Sequence, residues 1–182
     1  MKKIFLLLTI LTIFTTCLFS QSKTLLFRET FDGPDLPQGW ERVNWPANRI
    51  VIDKKSLAGG EPNELSFVYT YHYAEVIGCA VTPVIDLSNA TGTIMIEFLG
   101  NIRNVESPCT MGVATTSDNG ATWNLVWVKE FEGTTDAFNG EKFSVLEELE
   151  SPDIGSNFRL SFFFYSECRP KRPDNTGHRC KK

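Results

Sequence analysis

The feature that most constrains the fold of this chain is a series of short runs in which apolar and polar residues alternate. The clearest run places Phe158, Leu160, Phe162 and Phe164 on one face. Further runs lie at 65–71, 93–99 and 123–129, with shorter candidates at 24–30, 49–53 and 111–116. Alternation with period two is typical of half-buried strands. No sustained helical repeat is present, and residues 147–150 predict one helical turn. We therefore predict an all-β jelly roll or β-sandwich of about ten short antiparallel strands, with little helix outside the N-terminal segment.

The first twenty residues have the pattern of a secretory signal peptide. Lys2 and Lys3 precede an apolar stretch at 4–14, and Ser20 supplies a small residue before Gln21. Lipidation of Cys17 is an alternative, but the residues before it, Phe-Thr-Thr, match the lipoprotein processing pattern poorly. No later segment is apolar enough to span a membrane. We predict export to the cell surface or medium, with no transmembrane segment after cleavage.

Charged residues are distributed unevenly along the chain. Residues 21–166 hold ten basic and twenty acidic residues, whereas residues 167–182 hold six basic and two acidic ones. Binding to a phosphate backbone requires clustered Lys and Arg, so the acidic body argues against nucleic acid as a partner. We predict three regions: a signal peptide at 1–20, one β-domain at 21–166 and a basic irregular tail at 167–182.

Four cysteines remain after the predicted cleavage, and four cysteines allow three complete pairings. Export permits disulfides. One expectation is that Cys79 and Cys109 lie on neighbouring strands and pair. The alternative for Cys79, which lies in an apolar run, is a buried thiol acting as a small hydrophobic side chain.

The sharpest local signal is the run at 116–123, Thr-Ser-Asp-Asn-Gly-Ala-Thr-Trp. Asn119 and Gly120 favour a tight type I′ hairpin because both tolerate positive φ. Asp118 is placed to accept hydrogen bonds from the turn, while Thr122 and Trp123 begin the return strand. The run resembles the Asp-box of sialidases, a motif that stabilises a hairpin. A single copy without a repeat of 20–50 residues argues against a propeller.

Several motifs together resemble the choice-of-anchor J and cleaved-adhesin domains, which are MAM-like jelly rolls of secreted bacterial proteins. The motifs are Glu-Thr-Phe-Asp-Gly at 29–33, Leu-Pro-Gln-Gly-Trp at 36–40, Thr-Pro-Val-Ile-Asp-Leu-Ser at 82–88, the 116–123 hairpin and Phe-Arg-Leu-Ser-Phe at 158–162. Their order agrees with that family over roughly residues 25–166. The resemblance implies a jelly roll with a binding role.

The family's usual closing strand, Trp-x-Ile-Asp-Asp-Ile, has no counterpart after Tyr165. The Pro-containing basic tail is a poor strand, and a truncation or reading-frame slip is our hypothesis for it. The resemblance also implies a structural Ca²⁺ held by acidic residues of the first strand, here Glu29 and Asp32, and by the closing Asp pair. Because that pair is missing, the sequence supplies only half of this site.

The ligand-binding candidates are aromatic. Tyr69, Tyr71 and Tyr73 share one face of a predicted strand, and Trp127 lies on a later one. No Gly-x-Ser-x-Gly elbow and no evident Cys–His pairing is present, so we identify no catalytic constellation. The sequence predicts a non-catalytic binding or adhesion module whose partner is an extracellular protein or glycan. The alternative is a carbohydrate-binding accessory module of a larger hydrolase system.

Overall fold

The computed structural model describes residues 23–43, 49–68, 76–103, 108–132, 140–150 and 154–166. These residues form nine β-strands and no α-helix. The strands are β1 (Glu41–Val43), β2 (Ile50–Asp53), β3 (Glu64–Phe67), β4 (Val76–Val81), β5 (Met95–Ile102), β6 (Cys109–Thr116), β7 (Asn124–Phe131), β8 (Glu141–Glu148) and β9 (Arg159–Ser166). Within this part of the chain, no helix is long and apolar enough to cross a membrane.

The strands form one large sheet and two ribbons. The sheet has the order β1-β4-β9-β6-β7, while β2 pairs with β3 and β5 pairs with β8. Every strand pair is antiparallel. Strand β9, the last in sequence, lies at the centre of the sheet between β4 and β6, so the sheet closes only when the end of the domain is in place.

The two ribbons pack on one face of the sheet, which we call the inner face. Alternation along β9 directs Phe158, Leu160, Phe162 and Phe164 to this face, as predicted, and all four join the hydrophobic core. One core cluster joins β9 to β2 and β3, where Phe164 stacks on Phe67 at 6.5 Å between ring centroids. The other joins β9 to β5 and the end of β8. This two-layer packing confirms the predicted all-β sandwich.

A tight turn at 37–40 brings Trp40 into the core. The Trp40 amide donates to the carbonyl of Pro37 at 3.1 Å, and Gly39 has φ of 85°, the value required at the third position of a type II turn. The Trp40 indole packs 5.3 Å from the Phe31 ring and stacks on Phe162. The Pro-x-Gly-Trp motif therefore adds Trp40 to the core cluster that joins β9 to β2 and β3.

Most of the predicted runs are strands. The runs at 49–53, 93–99, 111–116, 123–129 and 157–165 correspond to β2, β5, β6, β7 and β9, and the start of the 65–71 run lies in β3. Two predictions are wrong. Residues 24–30 form no strand, and Glu147 and Glu148 end strand β8 instead of forming a helical turn.

Sequence reasoning missed β1 and β8, and it identified β4 only as the apolar run around Cys79. Strand β1 has only three residues, too few to show a period. In β8, charged residues surround Phe143 and Val145, which point to the inner face. Pairing with the apolar strand β5 along eight residues stabilises β8 despite its polar composition.

The expected disulfide between Cys79 and Cys109 is also wrong. Both are free thiols. Cys79 in β4 pairs with Phe163, and Cys109 in β6 pairs with Ser166, so β9 separates the two strands. Adjacent strands lie about 4.8 Å apart, which puts these cysteines two strand spacings from each other as well as out of register. This separation exceeds the reach of a disulfide.

Candidate functional site

The outer face of the large sheet, opposite the ribbons, presents an ordered set of side chains. Two rows cross it in strand register: Ile77, Tyr165, Thr110 and Glu130 form the first, and Cys79, Phe163, Gly112 and Val128 form the second. Side chains directly opposite each other on antiparallel strands have Cβ atoms about 5 Å apart. The two rows therefore place two aromatic rings, a hydroxyl and a carboxylate on one continuous surface, which we call the aromatic face.

Phe163 lies flat on this surface because of the glycine beside it. A Cβ built on Gly112 would lie 2.3 Å from Cζ of Phe163 and 2.8 Å from the carbonyl oxygen of Trp127. The ring thus occupies the space that any other side chain at position 112 would need. A glycine covered by a cross-strand aromatic ring is a known way of stabilising a strand pair, and here the ring is half-buried on the outer face.

A cleft of about 140 Å³ opens at the end of the aromatic face where β6 begins and β7 and β9 end. Its lining residues are Pro108, Cys109, Thr110, Glu130, Phe131, Glu132 and Tyr165. Glu130 and Glu132 are exposed, while Tyr165 and Thr110 are half-buried. The cleft combines an aromatic wall with two carboxylates and the hydroxyls of Thr110 and Tyr165. Carboxylates accept hydrogen bonds from hydroxyl groups, and an aromatic ring packs against C–H surfaces.

The two described thiols do not take part as nucleophiles. Burial raises the pKa of Cys109 to about 12, and burial also raises the pKa of Cys79, against the opposing effect of a hydrogen bond with Ser161. Nucleophilic attack requires the thiolate. Both thiols are therefore protonated at neutral pH. Cys109 is buried, whereas Cys79, for which the alternative expectation was a buried thiol, is half-buried on the outer face.

The 116–123 run forms a closed hydrogen-bond network at the other end of the sheet. Asp118 accepts hydrogen bonds from the hydroxyl of Thr116 at 2.7 Å and from the amide and hydroxyl of Thr122 at 2.9 and 2.7 Å. The Thr116 hydroxyl in turn accepts from the amide of Gly120 at 2.9 Å. These bonds join the two ends of the loop through the Asp118 side chain.

The backbone of this loop partly differs from the prediction. Asn119 and Gly120 have φ of 59° and 94°, so both adopt the predicted positive φ. The connection is longer than a two-residue hairpin, since β6 ends at Thr116 and β7 begins at Asn124. Trp123 packs against Gly120 but stays partly exposed. The Asp118 network stabilises this longer loop.

We expect the network to make folding stability depend on pH. The hydrogen bonds from Thr116 and Thr122 hold the pKa of Asp118 well below its usual range. A carboxyl whose pKa is lower in the folded state stabilises it above the unfolded pKa, near 4, and this contribution is lost as pH falls through the folded pKa. Asp118→Asn should therefore lower the melting temperature at pH 7, and its deficit relative to the wild type should shrink as pH falls below about 4.

Melting temperatures measured by circular dichroism between pH 2 and pH 7 test this expectation. Asp32→Asn, at an exposed carboxylate with one side-chain hydrogen bond, is the matched control. A melting-temperature difference between Asp118→Asn and the wild type that stays constant from pH 2 to pH 7 would contradict a lowered pKa of Asp118 in the folded state.

Glu29 and Asp32, the predicted Ca²⁺ ligands, stabilise a local turn. Glu29 Oε1 accepts the amides of Thr30 and Phe31 at 2.9 and 2.8 Å, and Asp32 Oδ2 accepts the hydroxyl of Thr30 at 2.9 Å. These bonds support Phe31 at φ of 55°. In the described part of the chain, no third acidic, His or Cys side chain joins them in a metal-binding group. Since Ca²⁺ takes six to eight oxygens, these residues alone do not fit the ion.

The predicted aromatic ligand residues have different outcomes. Tyr69, Tyr71 and Tyr73 lie outside the described residues. Trp127 points to the inner face, where it meets the Phe98 ring edge-on and stacks on Phe143, each at 5.4 Å between centroids. Its predicted role in ligand binding is replaced by a role in packing between the layers.

Sequence reasoning missed Phe163 and Tyr165. The signal for them was present in the run at 157–165, because the residues between the four core-facing ones must point the other way. Their importance depends on Gly112 and Thr110, which become their neighbours only through the register of β6 and β9.

Comparisons with known proteins give distant similarities. No protein-family model and no curated protein matches the chain. Among solved structures, TmCBM61 in complex with beta-1,4-galactotriose is similar with a TM-score of 0.45 and 13% identity, over 77% of this chain and 88% of that one. A non-crystalline cellulose specific carbohydrate-binding module, CBM28, is similar with a TM-score of 0.41 and 11% identity, over 71% and 79% of the two chains.

Proposed function

We propose that the protein is an exported, non-catalytic binding module whose aromatic face holds a neutral glycan. The observation that carries the proposal is the alignment of Tyr165, Thr110 and Glu130 on three adjacent strands at the mouth of a cleft. A sugar ring presents a C–H face and a rim of hydroxyls. The Tyr165 ring covers the first, while Thr110 and Glu130 pair with the second.

The charge of the body favours a neutral ligand. Residues 21–166 hold twice as many acidic as basic residues, and Glu130 and Glu132 place two carboxylates at the cleft. An anionic sugar or a nucleic acid would meet repulsion from these groups. Neutral hydroxyls donate to the same carboxylates without that cost.

A second candidate ligand is a protein surface. Ile77 and Val128 are 45% and 44% exposed, and each lies at the end of a row of the aromatic face. Apolar side chains of this kind around an aromatic centre are typical of protein–protein contacts. Adhesion to an extracellular protein would use these two residues more than the carboxylates of the cleft.

Replacing Tyr165 distinguishes a glycan ligand from a protein ligand. We expect Tyr165→Ala to weaken binding to a neutral oligosaccharide by at least about tenfold, since losing an aromatic anchor costs on the order of 1.4 kcal/mol or more. Tyr165→Phe should retain most of the affinity because the ring remains. The oligosaccharide is chosen by screening a glycan array, and affinity is then measured by titration calorimetry.

Leu146→Ala is the matched control, since Leu146 is exposed on a ribbon of the opposite layer. Unchanged affinity in a folded Tyr165→Ala variant would contradict the glycan site. Absence of array binding, together with cell attachment that is lost in Ile77→Asp, would instead support the protein ligand.

A further inference from the structure

The segment at 23–30, ahead of Phe31, carries an unusual surface for a folded domain. Leu25, Leu26 and Phe27 are 71%, 49% and 36% exposed. Consecutive residues of an extended segment point to opposite sides, so apolar side chains are exposed on both sides of this one. Within the described ranges, the segment joins no sheet. It therefore has the composition of a strand but lacks a strand partner there.

The end of this segment is held firmly by the domain. The Phe31 ring packs 5.3 Å from that of Trp40, and the Glu29 carboxylate accepts the amides of Thr30 and Phe31. These contacts fix the point where the segment leaves the core. Residues 23–28, all of them exposed, extend from that point.

The sequence of the segment, Lys-Thr-Leu-Leu-Phe-Arg-Glu-Thr, is complementary to itself when two copies run antiparallel. In the register that places Leu26 opposite Leu26 of a second copy, Lys23 lies opposite Glu29 and Leu25 lies opposite Phe27. Each of these pairs occurs twice because the arrangement is symmetric. Opposite charges and apolar pairs directly across a strand pair are both stabilising.

We propose that this segment is a homodimerisation strand, which pairs antiparallel with the same segment of a second copy in the register centred on Leu26. The pairing supplies backbone hydrogen bonds, two Lys–Glu pairs and cover for Leu25 and Phe27. A two-stranded ribbon alone is only marginally stable in water, and the acidic bodies repel each other. The dimer is therefore weak and reversible.

Cross-linking tests the register. In the exported protein, a Leu26→Cys variant places two thiols directly opposite each other across the symmetry axis. In Leu25→Cys, the introduced thiols lie on diagonal positions. Under mild oxidation with diamide, we expect at least about fivefold more covalent dimer from Leu26→Cys than from Leu25→Cys. The unmodified chain sets the background from its own cysteines. Equal yields from the two variants would overturn the register.

Sedimentation velocity tests the association itself. Lys23→Glu puts like charges opposite each other at both ends of the ribbon, and we expect it to raise the dimer dissociation constant roughly fivefold or more. Glu61→Gln, at an exposed position outside this segment, is the control and should leave the constant unchanged. Melting temperatures confirm that the variants fold. A wild-type protein that stays monomeric up to millimolar concentration, or a Lys23→Glu variant that dimerises like the wild type, would overturn the proposal.

Discussion

We expect Phe164→Ala to lower the free energy of unfolding by about 3–5 kcal/mol, the cost of truncating a buried Phe. Phe164 is 3% exposed and lies on the central strand of the sheet. Its ring stacks on Phe67 of the β2–β3 ribbon, so it joins the two layers. Truncation removes the aromatic contact and leaves a cavity that neighbours on two layers cannot fill without moving. Domains are stable by only about 5–15 kcal/mol, so this change consumes a large share of the total.

Urea unfolding followed by tryptophan fluorescence measures this effect. Leu146→Ala is the matched control because it removes an apolar side chain from the exposed side of β8. Its effect should stay within about 0.5 kcal/mol, as at most surface positions. A loss below about 1 kcal/mol for Phe164→Ala would contradict its place between the layers, since core truncations of this size cost more.

The second large effect is expected at a residue with no side chain. Gly112→Ala should lower the free energy of unfolding by about 1–3 kcal/mol, the usual cost of overpacking. The added Cβ would lie 2.3 Å from the Phe163 ring and 2.8 Å from the backbone oxygen of Trp127. The ring can rotate away, but the backbone oxygen moves only if β6 and β7 separate locally. The same change lifts Phe163 from its flat position and alters the aromatic face.

Gly60→Ala is the matched control, because no atom lies within 4 Å of the Cβ it would add. Phe163→Ala combined with Gly112→Ala gives a second check. With the ring absent, only the clash with the Trp127 oxygen remains, so the two changes should be less than additive. A Gly112→Ala variant as stable as Gly60→Ala would contradict the register of β6 and β9 that places Phe163 over Gly112.

Local features of this protein were predictable because their causes lie within a few residues. The Asp118 network joins side chains no more than four positions apart, and the positive φ at Asn119 and Gly120 follows from the residue types. The Pro-x-Gly-Trp turn is equally local. Alternation along β9 identified its core-facing side because one face of a half-buried strand must be apolar.

Features that depend on strand order could not be predicted in the same way. Cys79 and Cys109 were expected on neighbouring strands. Instead β9, which comes from the far end of the domain, lies between their strands. Trp127 lies in a run whose two faces are both partly apolar, and a register shift between Val113 and Ala114 interrupts its pairing with β6. Its inward direction is therefore a consequence of how β7 joins the sheet.

Predictable and unpredictable features differ in how far apart along the sequence the interacting residues lie. Side-chain alternation and turn chemistry act over two to four residues, so the amino-acid pattern alone specified an all-β domain, most of its strands and the closed loop at Asp118. The candidate site is different in kind. Phe163 meets Gly112 and Tyr165 meets Thr110 across about fifty sequence positions, and Thr110 in turn pairs with Glu130 on the next strand. Only the folded sheet, which sets order and register by burying its inner face, brings these residues together.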